Sequence, residues 1–378
     1  QISIDGGSVG DNVVGTTVQN FSQEVVEEFQ VGVASQDVSS GASSTGVVNV
    51  ITRSGSNDFH GNAYIYFRTD GLAAYPGLAR LDDTDTSDLT VPFTAESVPF
   101  DREQFGGSIG GPLYKDKAFF YFNTEYNNQD GASIFNIPDG RIIGFNGTGA
   151  QPFNELLLTT RIDWKLNDNN SLFGRYSHDD NDQIQPFAPN TGIAPQQSAS
   201  GIFSSNNQFN TNRADGFVIG LTSVINTSVV NDFRYNYLNF KNDIEPDPAS
   251  VPGSPEIRVI DPDQTWKSGT NYITPQITTQ IRNQFRDDLS WTKGNHVLRF
   301  GINYERTGIG GQFAFAKPAR IRIFGPGFGG PAVLQTEADF LNAPVRDISN
   351  QPGGSDSRWS KTSRRRLAVT RSPSQSRL

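Results

Sequence analysis

The sequence predicts an all-β fold, and three observations indicate it. Segments of about ten residues alternate apolar and polar side chains, which is typical of strands with two different faces. Gly (38), Pro (21) and aromatic residues (11%) are plentiful. No apolar run comes near the roughly 18 residues that a membrane-spanning helix needs. Antiparallel sheet is therefore the expected secondary structure.

Residues 1–57 contain Gly-rich turns and two β-like runs, at 25–31 and 46–52. The second run is almost continuously apolar, which is typical of a strand buried on both faces. We expect this region to form its own unit, because the alternation that dominates the rest of the chain starts only at Phe59.

Between residues 59 and 306 we count about nine strands. In the first, Phe59, Gly61, Ala63, Ile65 and Phe67 take one face, and His60, Asn62, Tyr64, Tyr66 and Arg68 take the other. Similar alternation predicts strands at 102–112, 117–126, 156–166, 170–179, 213–225, 227–240, 281–291 and 298–304.

Short and long connections alternate along these strands. Tight turns are predicted at 114–116, 167–169, 226–227 and 293–295, and long polar links at 69–101, 127–153, 180–212 and 241–280. A soluble sandwich has no reason to place every long loop at one end, whereas a membrane barrel has short periplasmic turns and longer extracellular loops. The predicted fold is therefore an antiparallel transmembrane β-barrel.

The chemistry of the two faces agrees with this prediction. Charged residues fall opposite the apolar ones, and a charge facing lipid costs about 2–4 kcal/mol at mid-bilayer, so the charges are expected to line the lumen. Aromatic residues lie near strand ends, as the interfacial girdles of a barrel require; they are Phe67, Phe122, Tyr126, Trp164, Trp291 and Tyr304.

Charge is divided unevenly along the chain. Residues 357–378 hold seven basic and no acidic residues, which leaves 24 basic against 40 acidic residues, a net charge of −16, in residues 1–356. An acidic body makes nucleic acid an unfavourable partner. The absence of Cys excludes disulfides, thiolate metal sites and Cys nucleophiles.

Two stretches resemble TonB-dependent receptors. Residues 47–61, VVNVITRSGSNDFHG, resemble the junction between the plug and the first barrel strand, and residues 104–120, QFGGSIGGPLYKDKAFF, resemble the second strand, the periplasmic turn and the third strand. The chain is most similar to the Oar-like branch, which often carries a carboxypeptidase-regulatory-like domain ahead of the plug. The resemblance covers residues 1–345; residues 35–46 depart from it, because they lack the usual acidic-aromatic-Gly-Arg run.

The resemblance implies a plugged barrel of 22 strands in the outer membrane, with uptake driven by the TonB complex. We expect this chain to be a piece of it: residues 1–57 as the C-terminal part of the plug, 58–345 as about nine to ten strands of the barrel, and 346–378 as a disordered tail. The signal peptide, the TonB box, the first half of the plug and the second half of the barrel are expected to lie outside this sequence.

Few residues suggest a more specific site. His60, His178 and His296 lie on separate segments, so a shared metal or catalytic role is not expected. Acidic clusters at Asp82, Asp83, Asp85 and Asp88 and at Asp179, Asp180 and Asp182 fall in predicted loops; oxygen-rich loops bind Ca²⁺, but neither follows the EF-hand order, and solvated loops are the favoured interpretation. No nucleophile triad or paired-carboxylate motif is readable, so no enzyme, cofactor or metal is predicted.

Four glycines in the second predicted barrel strand form a further motif. Gly106, Gly107, Gly110 and Gly111 leave part of one face almost without side chains. Such a strand permits a bend in the barrel or close approach of the plug. Curvature alone and contact with the plug are equally compatible with the sequence.

The predicted function is outer-membrane transport, with TonB-energised uptake of a small molecule, oligosaccharide or peptide that the sequence does not identify. The long loops, especially 69–101 and 180–212, are the expected ligand contacts, and outer-membrane lipid is the expected surrounding. Two alternatives are a non-energised adhesion or secretion-linked barrel and a soluble carbohydrate-binding β-sandwich.

The last residues differ from the rest of the chain. From about residue 357 the sequence is rich in Arg and Ser and has no alternating face. We expect this segment to lie outside the native reading frame; a basic tail that binds lipid headgroups or nucleic acid is the alternative.

Overall fold

The computed structural model of the protein describes residues 2–11, 17–32, 46–72, 100–135, 147–185, 207–248, 250, 253–260, 265–313, 319–324 and 345–349. Within these ranges the chain forms three β-sheets, of four, nine and four strands. None of the helices in the described ranges is both long and apolar enough to cross a membrane.

The first sheet, which we call the N-terminal sheet, has the strand order β2-β1-β4-β3. Its strands are β1 (Ile2–Ile4), β2 (Gly7–Ser8), β3 (Val26–Gly32) and β4 (Val47–Thr52), and a short 3-10 helix at Gln23–Val25 precedes β3. β1 and β2 form a hairpin across Asp5 and Gly6, whose φ angles are 47° and 80°. Asp-Gly is the dipeptide that such a two-residue turn prefers, because both central residues require a positive φ.

The nine-stranded sheet contains the strands that the alternation predicts. They are β5 (His60–Thr69), β6 (Asp101–Tyr114), β7 (Ala118–Phe135), β8 (Gly147–Asn167), β9 (Asn170–Gln185), β10 (Gln208–Asn226), β11 (Val229–Pro246), β14 (Gln276–Lys293) and β15 (His296–Phe313). Neighbours are antiparallel and follow chain order from β5 to β15, with β14 beside β11. The predicted all-β antiparallel architecture is therefore confirmed; among the described residues β5 and β15 form its two edges and do not pair with each other.

The tight turns lie where they were predicted, but several strands run much further than expected at their other ends. Turns occupy 115–117, 168–169, 227–228 and 294–295. The predicted links at 127–153, 180–212 and 241–280 are partly wrong, because β7, β8, β9, β10, β11 and β14 extend into them. Polar side chains occur on both faces there, so the alternation that marks a strand is lost although the backbone ladder continues.

The side chains divide between the faces as predicted. On the outer face, Ile65, Ile162, Phe300 and Ile302 are 57%, 48%, 56% and 68% exposed. On the inner face, Arg282 is 1% exposed. A sheet that exposes its apolar side chains and buries its charged ones is the arrangement that lipid on one side and a polar interior on the other require.

The third sheet, which we call the outer sheet, was not predicted. Its order is β13-β12-β16-β17, with β12 (Glu256–Ile260), β13 (Thr265–Ser268), β16 (Arg320–Phe324) and β17 (Val345–Ser349). β12 and β13 lie between β11 and β14, and β16 and β17 follow β15, so this sheet belongs to the end opposite the tight turns. The expected start of a disordered tail at residue 346 is wrong, because β17 continues to Ser349 and residues 347–349 pair with β16.

Two other expectations fall outside the described residues. They concern the acidic cluster at Asp82, Asp83, Asp85 and Asp88, and the basic segment from residue 357 onward.

Candidate functional site

The inner face of the nine-stranded sheet holds the N-terminal sheet. The contacts between them, which we call the docking interface, run from the tight-turn end to about the middle of the strands. Most of them are hydrogen bonds and ion pairs. The interface is therefore the first candidate for the functional part of the molecule.

Asp5 is the centre of the docking interface. Its carboxylate accepts hydrogen bonds from the backbone N (2.9 Å) and the Oγ1 (2.8 Å) of Thr52 on β4. It also pairs with two arginines of the inner face: Arg161 Nη1 lies 3.2 Å and Arg175 Nε 3.0 Å from its oxygens. All of these groups are largely buried, with the Asp5 and Arg175 side chains 4% and 2% exposed. The turn that gives Asp5 its positive φ places the carboxylate between β8 and β9.

A second group of contacts lies further from the tight turns. The backbone N of Asn20 donates to Asp179 Oδ2 (2.7 Å), and its side-chain amide donates to Glu155 Oε1 (2.8 Å). Ser22 Oγ donates to Glu125 Oε2 (2.6 Å). Three carboxylates on β7, β8 and β9 thus hold one short segment of the N-terminal region.

The hairpin of the N-terminal sheet also contacts β11 and β14. Arg282 donates to the backbone oxygens of Ser8 (3.1 Å) and Gly10 (2.7 Å). Asn236 donates to Ser8 O (3.1 Å), and the backbone N of Ser8 donates to Gln284 Oε1 (3.0 Å). The backbone of this hairpin is therefore paired with side chains of the nine-stranded sheet, which we also call the wall. These side chains bond to backbone groups that a further strand beside β2 would otherwise pair with.

The apolar part of the docking interface is small. Val18 packs with Ala214, Leu238 and Phe240 of β10 and β11 in one cluster. A second cluster of Ile4, Val9 and Val50, with Phe21 and Val26 against it, lies within the N-terminal region itself.

A cavity of about 330 Å³ lies beside residues 17–20, between them and the strands that continue toward the long connections. We call it the amide cavity, because Gln19, Asn20, Asn181, Gln183, Asn212 and Asn242 line it together with Phe153 and Phe240. Asn242 Nδ2 donates to Asn212 Oδ1 (2.7 Å), and Asn212 Nδ2 donates to Asn181 Oδ1 (3.0 Å). The three asparagines are direct register partners on β9, β10 and β11, so they form a ladder across the wall.

A second cavity of about 460 Å³ lies toward the tight-turn end. Gln30 and Asn49 of the N-terminal sheet face Arg234, Arg286 and Arg299 of the wall there. Both cavities are polar, and amides dominate the first whereas charged groups dominate the second.

The structure separates most of the residues that the sequence singled out. His60, His178 and His296 lie on β5, β9 and β15. His178 Nδ1 lies 2.8 Å from Asp215 Oδ1 on the neighbouring strand. Within the described ranges, no group of three or more His, Cys, Asp or Glu side chains is arranged to hold a metal ion.

The placement of Asp179, Asp180 and Asp182 in a loop was wrong. They belong to β9, where the strand alternation turns neighbours to opposite faces. Asp179 is buried against Asn20, whereas the Asp180 side chain is 43% exposed. A shared oxygen cage around a cation is excluded by this geometry.

Three glycines of β6 leave room for side chains of the segment that begins at Phe59, and the two expected roles, curvature and contact with the plug, stay predictions. A side chain at Gly106 would meet the Tyr64 hydroxyl at 2.6 Å, one at Gly110 would meet the His60 ring at 2.9 Å, and one at Gly111 would overlap the Phe59 ring. These three glycines accommodate the Phe59 ring, which directly precedes β5, and the His60 and Tyr64 rings of β5 itself.

Comparison with known proteins identifies the family to which this architecture belongs. The family model described as outer membrane beta barrel domain matches residues 51–142 and 142–341. The TonB-dependent transporter Oar of Myxococcus xanthus is 30% identical over 118 residues, which are 31% of this chain and 10% of that protein. The resemblance indicated by the two sequence motifs is thus confirmed.

Solved structures agree on the fold. The outer membrane transporter YddB of Escherichia coli matches with a TM-score of 0.56 at 12% identity, over 86% of this chain and 42% of that one. The siderophore receptor PirA of Acinetobacter baumannii matches with a TM-score of 0.50 at 16% identity, over 82% of this chain and 40% of that one. The chain spans less than half the length of these proteins. It belongs to the outer membrane β-barrel domain family, and its location is the outer membrane.

Proposed function

We propose that this chain is the plug-and-wall part of a transporter that takes up a ligand across the outer membrane, with energy from the TonB complex. In this proposal residues 1–57 belong to the plug and residues 58–345 to the barrel. Ligand enters from the long-connection end and meets the amide cavity, and the plug then moves to let it pass. The TonB complex pulls on a segment N-terminal to the plug.

The observation that carries the proposal is the polar nature of the docking interface. The groups that form its hydrogen bonds and ion pairs, such as those of Asp5, Asn20 and Arg282, can form hydrogen bonds with water instead when the interface opens. A hydrogen bond exchanged for water contributes only about 0.5–1.5 kcal/mol net. An interface of this kind separates without exposing a large apolar surface. Among the described residues, the apolar cluster that joins Val18 to the nine-stranded sheet has only four members.

The amide cavity supports a polar ligand. Side-chain amides both donate and accept hydrogen bonds, and the two phenylalanines that line the cavity, Phe153 and Phe240, offer flat apolar surfaces. That combination fits a sugar or a peptide. This part of the proposal rests on the cavity alone.

Labelling of a single cysteine tests plug movement without knowledge of the ligand. The sequence has no Cys, so an introduced one is unique. Ser22→Cys, at a position that is 2% exposed, is introduced at the native locus and treated with a membrane-impermeant maleimide. We expect labelling in energised cells and at least a tenfold slower reaction in cells that lack TonB or are depolarised.

Asp70→Cys is the control, because Asp70 is exposed at the long-connection end of β5. It should react at the same rate in all cells. Equal reactivity of Ser22→Cys with and without TonB would contradict energised movement and would favour an adhesion or secretion-linked barrel.

A further inference from the structure

The outer sheet concentrates positive charge on one face. β12 and β16 are parallel neighbours in the register Glu256↔Arg320 and Arg258↔Arg322. Register partners share a face, and so do residues two apart along a strand. Three guanidinium groups and one carboxylate therefore occupy adjacent positions on the same side of two strands.

The single carboxylate among these four residues is already committed. Glu256 Oε1 lies 2.6 Å from Arg320 Nε, and the two side chains are 0% and 6% exposed. The other oxygen, Oε2, accepts a hydrogen bond from the backbone N of Tyr272 at 3.3 Å. The Arg320 guanidinium lies over the Tyr272 ring. Glu256 thus forms a buried pair with Arg320.

Within the part of the chain that the structure describes, Arg258 and Arg320 each have one buried donor without a hydrogen-bond acceptor, Arg258 Nε and Arg320 Nη2. Burial lowers the pKa of both arginines, and the positive charge of Arg320 lowers that of Arg258 further. The first effect is the cost of taking a charged group out of water, and the second is repulsion between two like charges. The site therefore has the positive charge and the unpaired N–H donors that an anion would bind.

We propose that the outer sheet binds an oxyanion, a carboxylate or a phosphate group, through Arg258 and Arg320. The planar guanidinium presents paired N–H donors that match two oxygens of such a group, and a charge-assisted bond of this kind is about twice as strong as a neutral one. The sheet lies at the long-connection end. Resting on the proposed uptake function, this assigns the captured ligand an anionic group that is held before the ligand reaches the amide cavity.

The binding experiment uses the full chain, folded in detergent, with citrate and inorganic phosphate as probes. Isothermal titration measures their affinity for the unchanged protein, for Arg258→Gln and for Arg346→Gln. Arg346 is exposed on β17 of the same sheet, so its removal deletes one positive charge without touching the Glu256–Arg320 pair. We expect Arg258→Gln to weaken binding at least tenfold and Arg346→Gln to change it less than threefold.

Arg258→Lys guards against loss of folding, since it keeps the charge and removes the paired donors. It should bind more weakly than the unchanged protein and more tightly than Arg258→Gln, and its outer sheet should resist protease as well as that of the unchanged protein. If neither citrate nor phosphate binds the unchanged protein, the proposal is overturned. So would an equal loss in Arg258→Gln and Arg346→Gln.

The oxyanion could be carried by a solute or by the phosphates of the surrounding lipopolysaccharide, and a second arm separates these sources. Lipopolysaccharide phosphate that co-purifies with the unchanged protein and is lost in Arg258→Gln would assign the site to lipid. Equal amounts in the two proteins, together with probe binding, would assign it to a solute. These measurements involve no plug movement, so failure of the cysteine-labelling experiment leaves them interpretable.

Discussion

The two faces of the nine-stranded sheet follow opposite rules, although the same strands build both. On the outer face Ile162 and Phe300 are about half exposed, whereas on the inner face Arg175 and Arg282 are almost fully buried. In a soluble protein the apolar face would be covered and the charged one exposed. Here lipid covers the apolar face and the N-terminal sheet covers the charged one. Stability against unfolding should therefore depend on the outer face, and attachment of the N-terminal sheet on the inner one.

The largest effect is expected from Asp5→Asn. This change removes the buried carboxylate that faces Arg161 and Arg175. Arg161 keeps its second partner, Asp163, whereas the buried Arg175 guanidinium loses the counter-charge that Asp5 supplies. Breaking a buried ion pair from one side costs about 3–5 kcal/mol. Limited proteolysis of the N-terminal sheet in detergent should show detachment while the wall stays folded.

Asp232→Asn is the matched control. Asp232 pairs with Arg234 at 2.7 Å, but both side chains are 28% exposed. Its loss should cost less than about 1 kcal/mol, as for other solvent-accessible pairs. If both variants release the N-terminal sheet equally, burial is not what makes the Asp5 contacts strong.

A charge on the outer face should have the next largest effect. Ile162 is the register partner of Phe120 and lies about midway along the membrane-facing part of β8. Ile162→Arg should cost about 2–4 kcal/mol of folding free energy in lipid vesicles, because the charge has to be placed in hydrocarbon. Urea titration followed by the gel shift of the folded form measures it.

Asn303→Lys serves as the comparison for that variant. Asn303 lines the cavity at the tight-turn end, on the inner face. A charge added there remains in a polar environment, so the midpoint of unfolding should hardly move. Similar losses for both substitutions would mean that the two faces do not differ as the exposure pattern indicates.

A smaller effect is expected at the asparagine ladder of the amide cavity. Asn212→Ala removes the middle member, which accepts from Asn242 and donates to Asn181. The two outer amides then lose a partner in a partly buried place, at a cost of about 1–3 kcal/mol. The same urea titration measures this cost. An unchanged midpoint would indicate that water replaces the amide fully.

The smallest effect concerns the turn between β14 and β15. Gly294 has a φ of 59°, and a side chain there would meet no atom within 4 Å. Gly294→Ala should therefore cost only the backbone strain of that conformation, about 1–2 kcal/mol. A much larger loss would show that this turn packs against something beyond the described residues.

The sequence predicted the wall well because strand alternation is a local signal. Each face can be read from residues two apart, and the tight turns are marked by Asn, Asp and Gly. The outer sheet was not predicted because its strands are only four or five residues long and lie within links that are polar on both sides. Strands of that length carry too few side chains for a period to be recognised.

The docking interface was not predictable in the same way. Asp5 and Arg161 are 156 residues apart, and nothing in the sequence near either one points to the other. The Asp-Gly turn marks Asp5 as a hairpin residue but not as an ion-pair partner. The asparagine ladder left a fainter signal. Asn181, Asn212 and Asn242 follow one another at intervals of 31 and 30 residues, and alignment of the predicted hairpins on their tight turns would have brought them together.

The length of the wall strands has one more consequence. β8 has 21 residues, and at about 3.3 Å per residue it is roughly 70 Å long. With a tilt of about 40°, that length gives roughly 50 Å of height, whereas the apolar band of such a barrel is only about 25 Å tall. The upper ends of the strands therefore project above the bilayer, into the layer of surface saccharide. A phage, an antibody or a dissolved nutrient approaching the cell would touch this protein before it touched the membrane.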